Sequence, residues 1–253
     1  RGEENKKKEG QGREEKGTGK RQTKVRTKQG RKGRSEESEF KEKAKGDDSG
    51  DAAVSEERVE GETCCAELDD ALKKDVFDKV KVFRKGDDYY AFGRYWLPET
   101  KVDAKESPHF YACAYEKRIQ VSPGPVIDIE PIRDALKEDQ AKHDLREVPY
   151  DPAHLSQFSG EMMDRGFPMV EVRPTVMNFS EPMKKLQELV LLKKFHHNGD
   201  PVLRWMISNV VCHRDAKDNI YPRKPEGHKD KGNIDGARAH LRAPGRPRVT
   251  EAQ

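Results

Sequence analysis

Between Arg1 and Glu60 the chain carries a single aromatic side chain, Phe40, in a background of Lys, Glu, Gly, Gln and Ser. Such a segment cannot bury enough apolar surface to offset the backbone entropy lost on ordering, roughly 1–2 kcal/mol per residue. Residues 1–62 are therefore expected to be a disordered, charged tail, and a packed domain has to come from the residues after it. The overall balance agrees. Of 253 residues, 38% are charged and 32% hydrophobic, and the mean hydropathy is −1.08. That is a smaller apolar share than a globular domain carries. The net charge of +3 hides segregation: Arg1 to Arg34 is basic, Glu36 to Glu62 leans acidic. Lys16-Gly17-Thr18-Gly19-Lys20-Arg21 looks like a phosphate loop, but it lacks the first glycine of GxxxxGK[ST] and follows no apolar strand. It reads as a solvated basic run, one that could add salt-sensitive, sequence-independent affinity for nucleic acid.

Cys64, Cys65, Cys113 and Cys212 have no spacing that suggests a disulfide framework, so a reducing cytosol is expected. Cys212-His213 has no CxxC beside it and makes a poor zinc signature. No secretory leader is visible, and no apolar run approaches the ~20 residues of a membrane span. A soluble, cytoplasmic protein without membrane contact is expected. The chain begins with Arg rather than Met, which suggests a fragment or processed product.

Order is expected from Cys64 onward. Val80, Val82 and Tyr89 to Trp96 read as two strands joined at Lys85-Gly86-Asp87-Asp88. Ser107 to Gln120 is ambiguous. Ile129, Ile132, Ala135 and Leu136 recur at helical spacing behind Asp128 as N-cap. A strand from Leu145 to Tyr150 delivers Asp151. A helix comes next with Leu155, Phe158, Met162 and Met163 on one face, closed by Gly166. Met169 to Val172 is a strand. Ser180 is expected to cap a helix striped by Met183, Leu186, Leu189, Val190 and Lys193. Pro201 opens another at its first position, and Val211–Arg214 with Ile220–Tyr221 reads as a hairpin. Strands alternating with helices of about three turns predict a mixed α/β layer fold.

Asp151, at the end of an apolar strand, and Asp235, before a helix-like segment, are placed as a divalent-metal nuclease requires. Such enzymes hold ions ~4 Å apart with carboxylates from strand ends and helix edges. Asp69 is the candidate for a third carboxylate, with Asp70 and Asp75 nearby. The plain alternative is that Asp151 is a turn or cap residue and Asp235 an N-cap. His196-His197, beside Asn198-Gly199-Asp200, is expected to face solvent. Trp205 and Met206 are expected in the core.

Taken in order, Tyr150-Asp151-Pro152, GFPMVEV from Gly166, NFSEPMKKLQELVL from Asn178, HHNGDPVLRWMISNVV from His196, DAKDNIYPRK from Asp215 and Ile234-Asp235-Gly236 resemble the C-terminal nuclease domain of the large terminase subunit of tailed bacteriophages. The resemblance covers roughly residues 87–236. It implies an RNase H-like mixed sheet flanked by helices within residues 63–236. It also implies a metal-dependent endonuclease that cuts concatemeric phage DNA during packaging. The implied site is Asp69, Asp151 and Asp235 around a pair of Mg²⁺ or Mn²⁺ ions. The implied partners are double-stranded DNA, an ATPase domain, the small terminase subunit and the portal, in the host cytoplasm. Three departures accompany it. The family's apolar first strand with Leu-Asp-Leu-Ser is replaced by Ala66-Glu67-Leu68-Asp69-Asp70-Ala71, too polar to read as a strand. No Walker A loop is present. After Gly236 the prolines Pro244 and Pro247 interrupt any helix, so 237–253 is expected to be a disordered basic tail. The rival expectations are a truncated, non-catalytic remnant with at most non-specific DNA binding, and another RNase H-like enzyme such as a resolvase or integrase. The blocks at Asn178 and Pro201 disfavour the latter.

Overall fold

A computed structural model describes residues 54–69 and 76–223. The expectations for residues 1–53 and 237–253, for Asp70, Asp75 and Asp235, and for the loop-like run at Lys16 lie outside the described residues.

A seven-stranded sheet in the order β4-β3-β2-β1-β5-β6 organises the domain, with β7 also pairing β3. Its strands are β1 (Thr63–Asp69), β2 (Phe77–Lys85), β3 (Asp88–Pro98), β4 (Gln120–Ser122), β5 (Asp144–Tyr150), β6 (Met169–Glu171) and β7 (Phe195–His197). β1 to β3 form an antiparallel meander. Gly86, with φ of 64°, supplies the left-handed residue of the turn expected between β2 and β3. Every later strand of this sheet joins in parallel through a helical crossover. The helices are α1 (Pro108–Tyr115), α2 (Glu130–Lys142), α3 (Pro152–Asp164), α4 (Val176–Leu191) and α5 (Pro201–Asn209).

The pleat assigns the two faces. On the front, Cys65, Val80, Val82, Ala91 and Tyr95 meet α1, α4 and α5 through Phe110, Phe179, Met183, Leu186, Val202 and Met206. On the rear, Ala66, Leu68, Phe77, Trp96 and Val148 meet α2 and α3 through Ile132, Leu136, Leu155, Phe158 and Met162. A hairpin of β8 (Val211–Arg214) and β9 (Ile220–Arg223) packs beside α4. The Ser180 hydroxyl accepts its Ile220 amide at 3.2 Å.

Several sequence expectations are corrected. The run Thr63–Asp69 is a strand after all, buried from Cys64 to Asp69. Its acids Glu67 and Asp69 turn to the front face, opposite Val80 and Asp78; on the rear face the β2 residues beside Ala66 and Leu68 are Lys81 and Lys79, which both pair with Asp139 of α2, Lys81 also with Glu56. Ser180 does not cap α4. The helix starts earlier, at Thr175, whose hydroxyl accepts the Asn178 amide, and this leaves Pro182 inside the helix. There it withholds the amide that Asn178 C=O would otherwise receive. Lys193 lies past the helix end with φ of 56°. Met163 is exposed rather than on the packed face of α3. Asp128 sits one residue ahead of the assigned cap of α2, yet its carboxylate accepts the Glu130 amide at 3.0 Å. The ambiguous run 107–120 resolves into α1 and the start of β4. Residues 54–62, expected in the polar tail, contain a 3₁₀ turn at Glu56–Val59 with Val59 buried.

One close approach on the front of the sheet leaves no room for a β-carbon. The Tyr95 ring lies along β3 over Gly93, where a β-carbon would stand 2.1 Å from the Tyr95 Oη and 2.5 Å from its Cζ. Tyr95 is fully buried and cannot swing away. Gly93→Ala is therefore expected to destabilise the domain by about 1–3 kcal/mol, as overpacked cores do. Urea denaturation should show a lower midpoint with an unchanged slope.

Candidate carboxylate site at the strand ends

β1 and β5 run parallel side by side, with Cys65 opposite Glu147. Asp69 and Asp151 each lie four residues beyond that pair, so both reach the carboxyl ends of neighbouring strands at one level of the sheet. By the pleat, both fall on its front face. This crevice, outside the carboxyl ends of parallel strands, is where open α/β sheets place ligands.

Asp151 follows Tyr150, the last residue of β5, and is the N-cap of α3; its Oδ1 accepts the Ala153 amide at 3.0 Å. Pro152 takes the first helical position, where no amide hydrogen is needed. The cap role given as the plain alternative is thus occupied. It does not exhaust the group, because a carboxylate has about four lone-pair sites. Asp69 ends β1, buried, opposite Asp78 of β2. Asp235, the third carboxylate read from the sequence, lies outside the described residues. Among the described residues, no group of three or more His, Cys, Asp or Glu is arranged to hold a metal ion. The donors that Asp69 and Asp151 offer are oxygens only, the chemistry suited to Mg²⁺ or Mn²⁺ rather than to softer ions.

Behind the two aspartates the front face carries polar groups that sequence reading passed over. Glu67 shares the face of Asp69 two residues earlier and is fully buried, as is Asp78. Asp78 is level with Tyr95 on β3, so the row from β5 to β3 reads Asp151, Asp69, Asp78, Tyr95. The Tyr95 hydroxyl lies against the Asp200 carboxylate; burial first, then Asp200, raises this phenol well above its ordinary range. Burial likewise raises Asp200, partly offset by Tyr95 and by the Val202 and Leu203 amides at the start of α5. The alternation Glu67-x-Asp69 was the available signal for this row. Its register partners were not readable without the pairing.

His196 and His197 are not solvent-facing loop residues. They belong to β7, paired with Tyr90 and Ala91. His196 stacks on Tyr90 at 5.0 Å and its Nε2 lies 2.8 Å from Asp88. His197 is buried, and its Nδ1 accepts the Gly199 amide, so in the neutral ring Nε2 carries the hydrogen. Trp205 is half-buried and stacks on His109 at 4.5 Å; Met206 is in the core. Cys212 and His213 are strand residues of β8, the four cysteines form no disulfide, and no described helix is long and apolar enough to cross a membrane.

Comparison with known proteins fits this architecture. Residues 34–251 match the family described as terminase large subunit, endonuclease domain. Protein YmfN of Escherichia coli (strain K12) is 27% identical over 215 residues, covering 80% of this chain and 47% of that protein. The crystal structure of the HK97 bacteriophage large terminase superposes with a TM-score of 0.64 at 23% identity, over 73% of this chain and 39% of that one. The chain thus spans less than half the length of either relative. Its fold is the RNase H-like one, a mixed sheet flanked by helices. The chain belongs to the terminase large subunit endonuclease-domain family.

Proposed function

We propose that this domain is a metal-dependent DNA endonuclease that cuts concatemeric phage DNA during packaging. Asp69, Asp151 and Asp235 would hold Mg²⁺ or Mn²⁺, within a catalytic unit bounded by residues 63–236. The observation that carries the reading is the level placement of Asp69 and Asp151 at the ends of adjacent parallel strands, inside a chain of this family. When bound, a pair of divalent ions activates water and stabilises the leaving oxygen of a phosphodiester. The chain's own contribution is to fix the ligands. β1 is held between two strands and cannot shift in register. Asp151 is held twice, by β5 behind it and by the Ala153 amide ahead. Double-stranded DNA is the proposed substrate. An ATPase domain, the small terminase subunit and the portal are the proposed partners, and the host cytoplasm the proposed location.

Two measurements test this. In a supercoiled-plasmid assay with Mn²⁺ or Mg²⁺, cleavage is expected to stop on adding EDTA. It should fall on the order of 100-fold or more in Asp69→Asn, Asp151→Asn and Asp235→Asn. Cleavage retained by the three variants would overturn the site, and none by the folded wild type would favour the non-catalytic remnant. The second measurement separates Asp151's two roles. Asparagine caps a helix as well as aspartate does, so Asp151→Asn should keep wild-type thermal stability while Asp151→Ala loses about 1 kcal/mol. Both should lose cleavage.

A further inference from the structure

The segment that leads into β1 is fastened to the rear of the sheet by charge. Ser55 caps the 3₁₀ turn Glu56–Val59, its hydroxyl accepting the Glu57 amide at 3.2 Å. Beyond the turn, Gly61 N donates to Lys142 O at 2.9 Å, and Asp144 N to Glu62 O at 3.1 Å. Val54 and Val59 cover Cys64 and Phe83. Beneath them lie two buried lysines and one buried aspartate. Lys81 Nζ is 2.8 Å from Asp139 Oδ1; Lys79 pairs with the same carboxylate and donates to Ala135 O at 3.1 Å. Two ammonium groups with one carboxylate leave an uncompensated buried charge, which is strongly destabilising. Glu56 supplies the second negative charge. It pairs with Lys81, and its Oε1 lies 3.3 Å from His143 Nε2.

We propose that residues 54–62 form a charge-locked strap: Glu56 holds it over the rear of the sheet, and loss of the Glu56 charge lifts it and opens the way to Cys64 while the rest of the domain stays folded. The asymmetry of the network supports this. Lys79, Lys81, Asp139 and His143 are buried within the sheet and α2, whereas Glu56 is 35% exposed and sits on the strap. It is the member whose charge can change without unfolding the core. Around it, Lys81 and Lys79 come from β2, Asp139 and His143 from the end of α2, Asp144 and Cys64 from the strands below. Arg94 of β3 acts on Lys79, and Lys85 pairs with Glu62 at the strap's far end at 3.2 Å. Burial works against the Glu56 charge, but the bonds to Lys81 and His143 outweigh it and hold the carboxyl below its usual 4.5. Its folded value is depressed, so its contribution is fully present above about 4.5 and is lost as pH falls through the lower folded value. Burial pushes the Cys64 thiol up to about 12, which together with the strap keeps it unreactive.

The test is thiol labelling of the full chain with dithiodipyridine, which reacts in acid, localised by fragmentation mass spectrometry. Cys113, buried on the opposite face, is the reference for general opening. Glu56→Gln at neutral pH should raise the ratio of Cys64 to Cys113 labelling roughly tenfold, as expected for a local opening. Wild-type protein should show the same rise as pH drops below about 4.5, which decides the matter if the variant does not fold. An unchanged ratio overturns the strap. So does a parallel rise at both cysteines, because the segment would then open only with the whole domain.

Discussion

Everything in this domain depends on how β1 is held. At the centre of the sheet it runs between an antiparallel neighbour, β2, and a parallel one, β5. The hydrogen bonds to β2 make the meander; those to β5 bring in the crossovers that cover the rear face. Slipping β1 by one residue would turn Leu68 to the front and Asp69 to the rear. The apolar cluster on the rear and the carboxylate at the strand end are therefore fixed by the same register. A strand with this duty would ordinarily be apolar throughout. Here Glu67 is buried inside it and Lys79 and Lys81 are buried beside it, so the carboxylate that Asp139 brings from α2 to the two lysines is a condition of the fold.

That dependence explains what could and could not be read from the sequence. Elements with local signals were legible: the β2–β3 turn at Gly86, the helix opened by Pro152 and closed by Gly166, the Asp200–Pro201 start of α5, the β8–β9 hairpin. Their punctuation is written in adjacent residues. β1 was misread because its parallel partner β5 is remote, with Thr63 set against Asp144, and nothing local announces that Asp139 pairs with the two lysines buried beside it on β2. The start of α4 was misplaced because Ser180 and Thr175 are both good caps. The choice was made by burial of Phe179 and by the Ser180 hydroxyl's contact with β9. His197 was assigned to solvent from its polar neighbours, whereas β3 is long enough to take β7 alongside it.

Around the candidate site, the strand-to-helix placement of Asp151 was legible from its neighbours, and its capping bond is the one that position predicts. Asp69 was named as the candidate third carboxylate, and again by the resemblance, although the run around it read as too polar for a strand. The buried row behind it, Asp78 to Tyr95 and on to Asp200, became visible only with the pairing. The sheet thus carries polarity on both faces at the β1–β2 junction: acids in front, an acid–base network behind. The two sets are separated by the thickness of one strand, and the pleat keeps them apart.

β3 is shared between two short parallel strands. β7 covers its first residues, at Tyr89–Ala91, and β4 its last, at Trp96–Pro98. On that side of the sheet, among the described residues, the uncovered backbone is the stretch 92–95, which contains Gly93 with the Tyr95 ring laid over it. An incoming strand from another molecule finds a slot shorter than a typical strand of about 5–6 residues, walled at both ends. Long, flat, open edges are what recruit other chains into fibrils, and the division of β3 between two short partners leaves, among the described residues, no such long open edge on β3 itself.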